Sequence, residues 1–311
     1  MRPSAARDLS LTQLSYFIAA AEHGSMTLAA ASLYVAQSAI STSIGNLEES
    51  LGTQLFIRRR AKGLLLTASG SELLIRARSI LSSVEDAVDA LRPETISGNL
   101  EAACYSTLAP FYLPEILQST AEQYPDLQLR IRDLGADGIN EAIMNHAIEV
   151  ALTYNLGLDP SLHVETLATV PLYAAVAVTH PLASRDEVSL ADLVDEPMVL
   201  LDMPISRDYF LNAFYEAGLT PIVGHRFASF EAVRAMVARD HGFTLLHQKP
   251  ALDYTYDGRM VRTLRITDDV PGLDIVLASA DVAISRRARV FADQCRRAVQ
   301  LSSTALEVPA A

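Results

Sequence analysis

An α/β protein carrying a mostly helical head is what this chain predicts, on three observations. From Leu100 onward, short strand-like apolar runs alternate with helix-like runs. Residues 11–51 show only helical periodicity. Between them lies an unbroken helical pattern from Ala68 to Leu91. Alternating strands and helices predict sheets with helices on their faces, here doubly wound and parallel. A long helix between two differently patterned segments marks a domain boundary. The predicted divisions are a head at 9–67, a linker helix at 68–92, a hinge at 93–98 and a C-terminal domain at 99–301. The last splits into lobe I, about 99–170 and 271–301, and lobe II, about 171–270.

Composition supports this reading. Half of the 311 residues are hydrophobic and a fifth are charged, which is ordinary for globular domains. No apolar run approaches the ~18–20 residues of a membrane span, and the N-terminus has no signal-type apolar region. Two cysteines, Cys104 and Cys295, give no disulfide framework. A cytoplasmic protein with no membrane partner and with structural thiols is expected. The net charge is −12, but residues 1–78 carry eight Arg and Lys against five Asp and Glu. That is +3 for the head and −15 for the rest, so one part is suited to a polyanion and the other is not.

The elements follow in order. Leu11, Leu14, Phe17, Ile18 and Ala21 give a first helix, opened by Ser10 or Thr12 and broken at Gly24-Ser25. An alanine-rich helix from about Thr27 to Leu33 and a turn at Tyr34-Val35-Ala36 come next. A third helix runs from Gln37 to Leu51, with a core face of Ile40, Ile44, Leu47 and Leu51. Its other faces present Gln37, Ser38, Ser41, Thr42 and Asn46, short polar groups able to meet base edges or phosphates. Two β-prone arms, Gln54–Arg58 and Leu64–Thr67, flank Arg58, Arg59, Arg60 and Lys62. That pattern is a wing with a basic tip for a DNA backbone or minor groove. In the long helix, Leu73, Ala77, Ile80, Val84, Ala87 and Leu91 repeat in a 4-3-4-3-4 pattern, a coiled-coil seam that predicts dimerisation.

The chain resembles LysR-type transcriptional regulators. The resemblance rests on Leu14–Phe17 with Ala20-Ala21, Gly24–Thr27 with Ala29-Ala30, Gln37–Ser41, Leu47-Glu48, Leu51-Gly52, Leu55-Phe56 with Arg58, and Leu66-Thr67 with Gly70. It continues through His180–Ala183, Leu190–Leu193, Phe230–Val233 and Gly242–Leu246. It implies a winged helix-turn-helix, a dimerising linker helix and a two-lobed effector domain similar to periplasmic binding proteins. It also implies a homodimer assembling into a homotetramer, a small-molecule co-inducer with no other cofactor, and double-stranded promoter DNA as partner, with RNA polymerase as a further one. Two departures stand out. The third helix carries no charge between Gln37 and Leu47, which shifts phosphate attraction to the wing and to Arg76 and Arg78. His247 stands where the family commonly has proline.

No catalytic pattern survives inspection, so no enzyme is expected. The seven histidines show no metal-ligand spacing. The alternative is a small-molecule binding protein of transport type with the same two-lobed fold, which leaves residues 1–92 without a purpose. In such folds ligands sit beyond the carboxyl ends of strands, at helix starts. Ser106, Thr107, Thr153, Tyr154, Ser206, Arg207, Ser229, Phe230 and His247 all fall at such ends and are the candidate effector-binding residues. The expected effector is a small anionic metabolite. Thr27 joins Gln37, Ser38, Ser41, Thr42, Asn46 and the wing as candidate DNA contacts.

Overall fold

The computed structural model describes residues 9–59, 63–91 and 96–306. They form two compact units, one of residues up to Ile96 together with Met144–Ala147 and one of the remaining residues from Ser97 onward. No helix among the described residues is long and apolar enough to cross a membrane.

The head begins with α1 (Leu11–His23), which opens on a reciprocal cap. Ser10 Oγ accepts from the Gln13 N–H at 3.2 Å, and Gln13 Oε1 accepts from the Ser10 N–H at 2.8 Å. The pair satisfies two donors that a helix start leaves open. Next come α2 (Met26–Ser32), capped by Ser25, and α3 (Gln37–Leu51). Ile40, Ile44 and Leu47 are buried against Leu14, Phe17, Ala29 and Ala30. The alanines carry little bulk, so the helices approach closely. The wing is the hairpin β1 (Phe56–Arg59) and β2 (Gly63–Leu66), with Phe56 opposite Leu66. Glu48, on α3, anchors it: its Oε1 accepts from the N–H groups of Leu55 at 2.7 Å and Phe56 at 3.1 Å.

Helix α4 (Ala68–Ala90) starts at Thr67, whose Oγ1 accepts from the Gly70 N–H at 2.9 Å and donates to Gln54 O at 2.7 Å. The six-residue seam needs correction. Ala77 is fully buried in the head's own core, and Leu73 packs on that core with Leu74 and Leu81. The cause is α1, which lies along the first part of α4 and covers those side chains. The apolar surface left on α4 is its later part, with Ile80 44% and Leu91 84% exposed and Val88 beside them.

In the second unit, β3 (Gly98–Tyr105), α5 (Ala109–Gln123), β4 (Leu127–Leu134), α6 (Ala136–Met144), β5 (Val150–Tyr154) and β6 (His163–Val170) build the first lobe. The second lobe holds β7 (Tyr173–Ala177), β8 (Glu187–Val188), α7 (Leu190–Leu193), β9 (Pro197–Leu201), α8 (Ser206–Glu216), β10 (Ile222–Phe227), α9 (Phe230–Val237), β11 (Thr244–Leu246) and β12 (Val261–Ile266). The chain then returns through β13 (Leu273–Ser279) and ends on α10 (Arg286–Leu306). Gly98 is already paired in β3, and residues 92–95 of the expected linker end and hinge lie outside the described residues.

The expected all-parallel sheet is instead mixed. Its order is β4-β3-β5-β13-β6, with β3 parallel to β4 and β5 but β13 antiparallel to β5 and β6. The reason is the path of the chain: β6 leads out to the second lobe and β13 comes back beside it, so the two run in opposite senses. The second lobe is mixed as well, with β11-β7-β12-β8 in one sheet and β10-β9 in another. A pair of backbone bonds joins the two, Val199 N–H to Phe243 O at 2.7 Å and Phe243 N–H to Pro197 O at 3.0 Å. Gly242 makes that junction possible. Its φ is 119°, and a Cβ there would lie 1.8 Å from Pro197 O.

Glu48→Ala removes two charge-assisted bonds from partly buried backbone donors. The head should lose about 2 kcal/mol of stability, read as a lower denaturant midpoint by helical circular dichroism.

Candidate DNA interface and ligand groove

The outward side of α3 from Gln37 to Asn46 is polar and uncharged. Gln37, Ser38, Thr42 and Asn46 are exposed and Ser41 is half-buried. Ser38, Thr42, Ser43 and Asn46 line a shallow groove together with Ser10 and Gln13 from the start of α1. Those last two and Ser43 were not anticipated; the Ser-x-x-Gln spacing of the α1 cap is the signal that locates them. A helix start also presents the positive end of its dipole. Thr27 is exposed on α2. The backbone of Arg58 and Arg59 lies on β1, and Arg60 and Lys62 lie outside the described residues. The phosphate role expected of Arg76 and Arg78 needs correction. Arg76 pairs with Glu72 at 3.1 Å and Arg78 with Glu22 at 2.9 Å, so carboxylates of the head already neutralise both.

The C-terminal unit holds a groove of about 1040 Å³ between its two lobes. From the first lobe come Ser106 and Thr107, where β3 runs into α5, and Phe111. From the second come Ser229, which caps α9, Phe230 and Lys249. The Phe111 and Phe230 rings meet edge to face, centroids 5.8 Å apart. Arg234 also lines the groove but is 3% exposed. Glu231 holds it at 2.7 Å, it donates to Tyr254 O at 3.1 Å, and its guanidinium lies over Phe230. Lys249 is exposed and has no carboxylate partner among the described residues. Sequence reasoning missed it, since a lone lysine before Pro250 carries no pattern.

Deeper in the cleft lies a compartment of about 20 Å³, sharing Thr107 and Phe230 with the groove. Tyr154, Ser206, His247 and Gln248 also line it, within an apolar wall that includes Leu201, Phe210 and Leu273. Hydroxyls bridge the lobes around it. Tyr105 Oη and Ser206 Oγ lie 2.8 Å apart, Tyr112 Oη donates to Gln248 Oε1 at 3.3 Å, and Tyr209 Oη donates to Pro271 O at 2.7 Å. Burial pushes the Tyr105 and Tyr154 phenols up, so both stay protonated. Burial also lowers His247 to about 4, against the opposing pull of the Pro171 and Val170 carbonyls. The ring is therefore neutral at physiological pH. Ser206 reaches the cleft through an unusual turn. Ile205 has φ 68° and ψ −50°, and the Ser206 N–H bonds to Pro204 O at 2.8 Å. This is a γ-turn of the rare positive-φ kind.

The structure thus brings Ser106, Thr107, Tyr154, Ser206, Ser229, Phe230 and His247 to one cleft. Two other residues need correction. Arg207 lines neither cavity, because Asp202 at 3.4 Å and Asp208 at 3.2 Å hold it at the surface. Thr153 is fully buried within β5, whose residues are covered on both faces, and its hydroxyl turns to Tyr154 O at 3.4 Å. Among the described residues no His, Cys, Asp and Glu cluster could hold a metal ion.

Comparison with known proteins agrees on both units. Residues 11–71 match the bacterial regulatory helix-turn-helix protein of the lysR family, and residues 93–300 match the LysR substrate binding domain. A LysR-family transcriptional regulator of Pseudomonas aeruginosa, known from its crystal structure, is 35% identical over 94% of this chain and 99% of that one, with a TM-score of 0.61. HinK, a LysR-family regulator from the same species, is 34% identical over 93% and 98%, with a TM-score of 0.60. The DNA-binding transcriptional dual regulator OxyR of Escherichia coli is 29% identical over 78% of this chain and 80% of its own length. These relatives are transcriptional regulators, neither enzymes nor transporters. With a DNA-reading head, a ligand groove and a substrate-binding match over more than half of its length, this chain belongs to the LysR family of transcriptional regulators.

Proposed function

We propose that this regulator acts in the cytoplasm on promoter DNA and that a small carboxylate, held in the groove between the lobes, governs its binding. The observation that carries this reading is one groove lined by two helix starts, with Ser106, Thr107 and Ser229, and by an unpaired Lys249. Free N–H groups, hydroxyls and an ammonium favour an anion, and the aromatic walls favour an apolar body attached to it. The head reads bases with Gln37, Ser38, Ser41, Thr42 and Asn46, and Thr27 adds a backbone contact. Attraction comes from Arg58, Arg59, Arg60 and Lys62, because α3 carries no basic residue. The exposed part of α4, with Ile80, Val84, Ala87 and Leu91, pairs two copies, and two dimers form a tetramer on the promoter. RNA polymerase is the further partner of that assembly.

The name "hydrogen peroxide-inducible genes activator" belongs to several relatives, and nothing here favours that chemistry. The chain's two cysteines are both buried, and burial pushes both thiols well up. A reactive cysteine needs thiolate character and access.

Gln37→Ala should abolish the preference for specific over random duplex. Arg59→Ala should weaken both alike and lower the salt slope by about 1. Anisotropy titrations decide, and equal losses on both duplexes for Gln37→Ala would remove its base-reading role. Ile80→Glu should convert dimer to monomer in sedimentation, since it places charge on the exposed seam. Lys249→Ala, and separately Ser106→Ala with Thr107→Ala, should remove carboxylate-induced thermal stabilisation while DNA affinity without ligand stays unchanged. An undiminished shift in both would exclude this groove as the anion site.

A further inference from the structure

Two side chains lining the inner compartment are more than nine-tenths buried, and each carries one nitrogen without a partner. His247 is 8% exposed and Gln248 5%. Neither His247 Nε2 nor Gln248 Nε2 has a hydrogen-bond partner among the described residues. Such orphans are uncommon in native proteins, and each leaves an uncompensated desolvation penalty.

Their chemistry is complementary. His247 Nδ1 lies 3.2 Å from Val170 O, and a carbonyl only accepts, so Nδ1 carries the proton. The ring is neutral, which leaves Nε2 as a bare acceptor. Gln248 Oε1 accepts from Tyr112, and Nε2, although the Tyr154 phenol lies near it, completes no hydrogen bond and is left as a donor. One buried acceptor and one buried donor therefore sit on consecutive residues beside a space of about 20 Å³. A probe sphere occupies roughly 10–15 Å³, so the space admits one group the size of a water or hydroxyl. A carboxylate only accepts and cannot satisfy His247 Nε2. A methyl satisfies neither. A hydroxyl donates to one and accepts from the other.

We propose that the inner compartment is a hydroxyl-reading subsite, in which one hydroxyl of the effector donates to His247 Nε2 and accepts from Gln248 Nε2. This rests on the reading of the outer groove as the carboxylate site. Lys249 is two residues from His247, and an extended backbone places their Cα atoms at most ~7 Å apart, close to the span of one substituted ring. Phe111, Phe230 and Tyr254 supply ring walls between the two polar ends. The effector class is therefore a hydroxylated aromatic carboxylate rather than a bare small acid.

The test uses the full-length protein and four probes: benzoate, 3-hydroxybenzoate, 4-hydroxybenzoate and 4-methylbenzoate, a hydroxyl-free match in size. At least one hydroxybenzoate should bind about tenfold or more tighter than benzoate and 4-methylbenzoate, by thermal shift and calorimetry. This wild-type comparison needs no variant. In His247→Leu and in Gln248→Met the preference should vanish while the benzoate response remains. Equal binding of hydroxylated and hydroxyl-free probes would overturn the subsite and assign the space to a water, leaving the groove intact. A preference that survives both substitutions would overturn it too. No response to any probe would overturn the carboxylate groove and this subsite together.

Discussion

Hydroxyl groups join the two lobes of the effector domain around the cleft. Tyr105 meets Ser206, Tyr112 meets Gln248 and Tyr209 meets the Pro271 carbonyl. Each bond is directional, and each replaces a water partner by a protein partner at a net worth of only about 1 kcal/mol. A seam built this way keeps the lobes in register without welding them. It also sets polar side chains around a space too small for a ligand body, and it keeps the wide groove at its mouth. The Phe111 and Phe230 rings meet across the lobes beside it. Everything proposed for the ligand depends on that division between a wet, charged mouth and a nearly dry interior.

The head solves a different problem. Its fold needs little more than alanine-rich helices, three isoleucine and leucine positions on α3, and a glutamate that holds the wing. Two of its arginines are paired: Arg76 and Arg78 face Glu72 and Glu22. The polar face of α3 can therefore discriminate without much attraction. The basic tip of the wing and the doubling of sites in a dimer must supply what α3 lacks, because phosphate contacts carry most of the affinity for DNA.

Much of this was legible from the residues. The spacing of Ile40, Ile44 and Leu47 located the buried face of α3, and Ser10 its neighbour's cap. Strand ends at Tyr105, Tyr154 and Leu246 led to the cleft, because ligands gather where parallel strands stop. What escaped had physical reasons. β6 is an edge strand with scattered half-buried residues and no clean alternation, so its antiparallel return alongside β13 could not be seen. β5 is covered on both faces, so the sequence could not show that Thr153 turns away while Tyr154 reaches the cavity. Arg207 looked like a ligand clamp until Asp202 and Asp208 were seen to flank it. Lys249 was missed for the opposite reason, since its significance lies in what does not pair with it. The coiled-coil spacing of α4 was real, yet spacing alone does not tell which helix covers it, and α1 takes the first part.

The turn at Ile205 has an energetic consequence. A β-branched residue at φ 68° is held about 1–3 kcal/mol above its relaxed backbone. That turn carries Ser206 to Tyr105, and the Ile205 side chain lies against Gly157 in the opposite lobe. The arrangement is a latch that works against its own spring. Its opposing bias is about the size of one hydrogen bond, so a ligand with a modest difference in affinity for the latched and released forms is enough to move the balance.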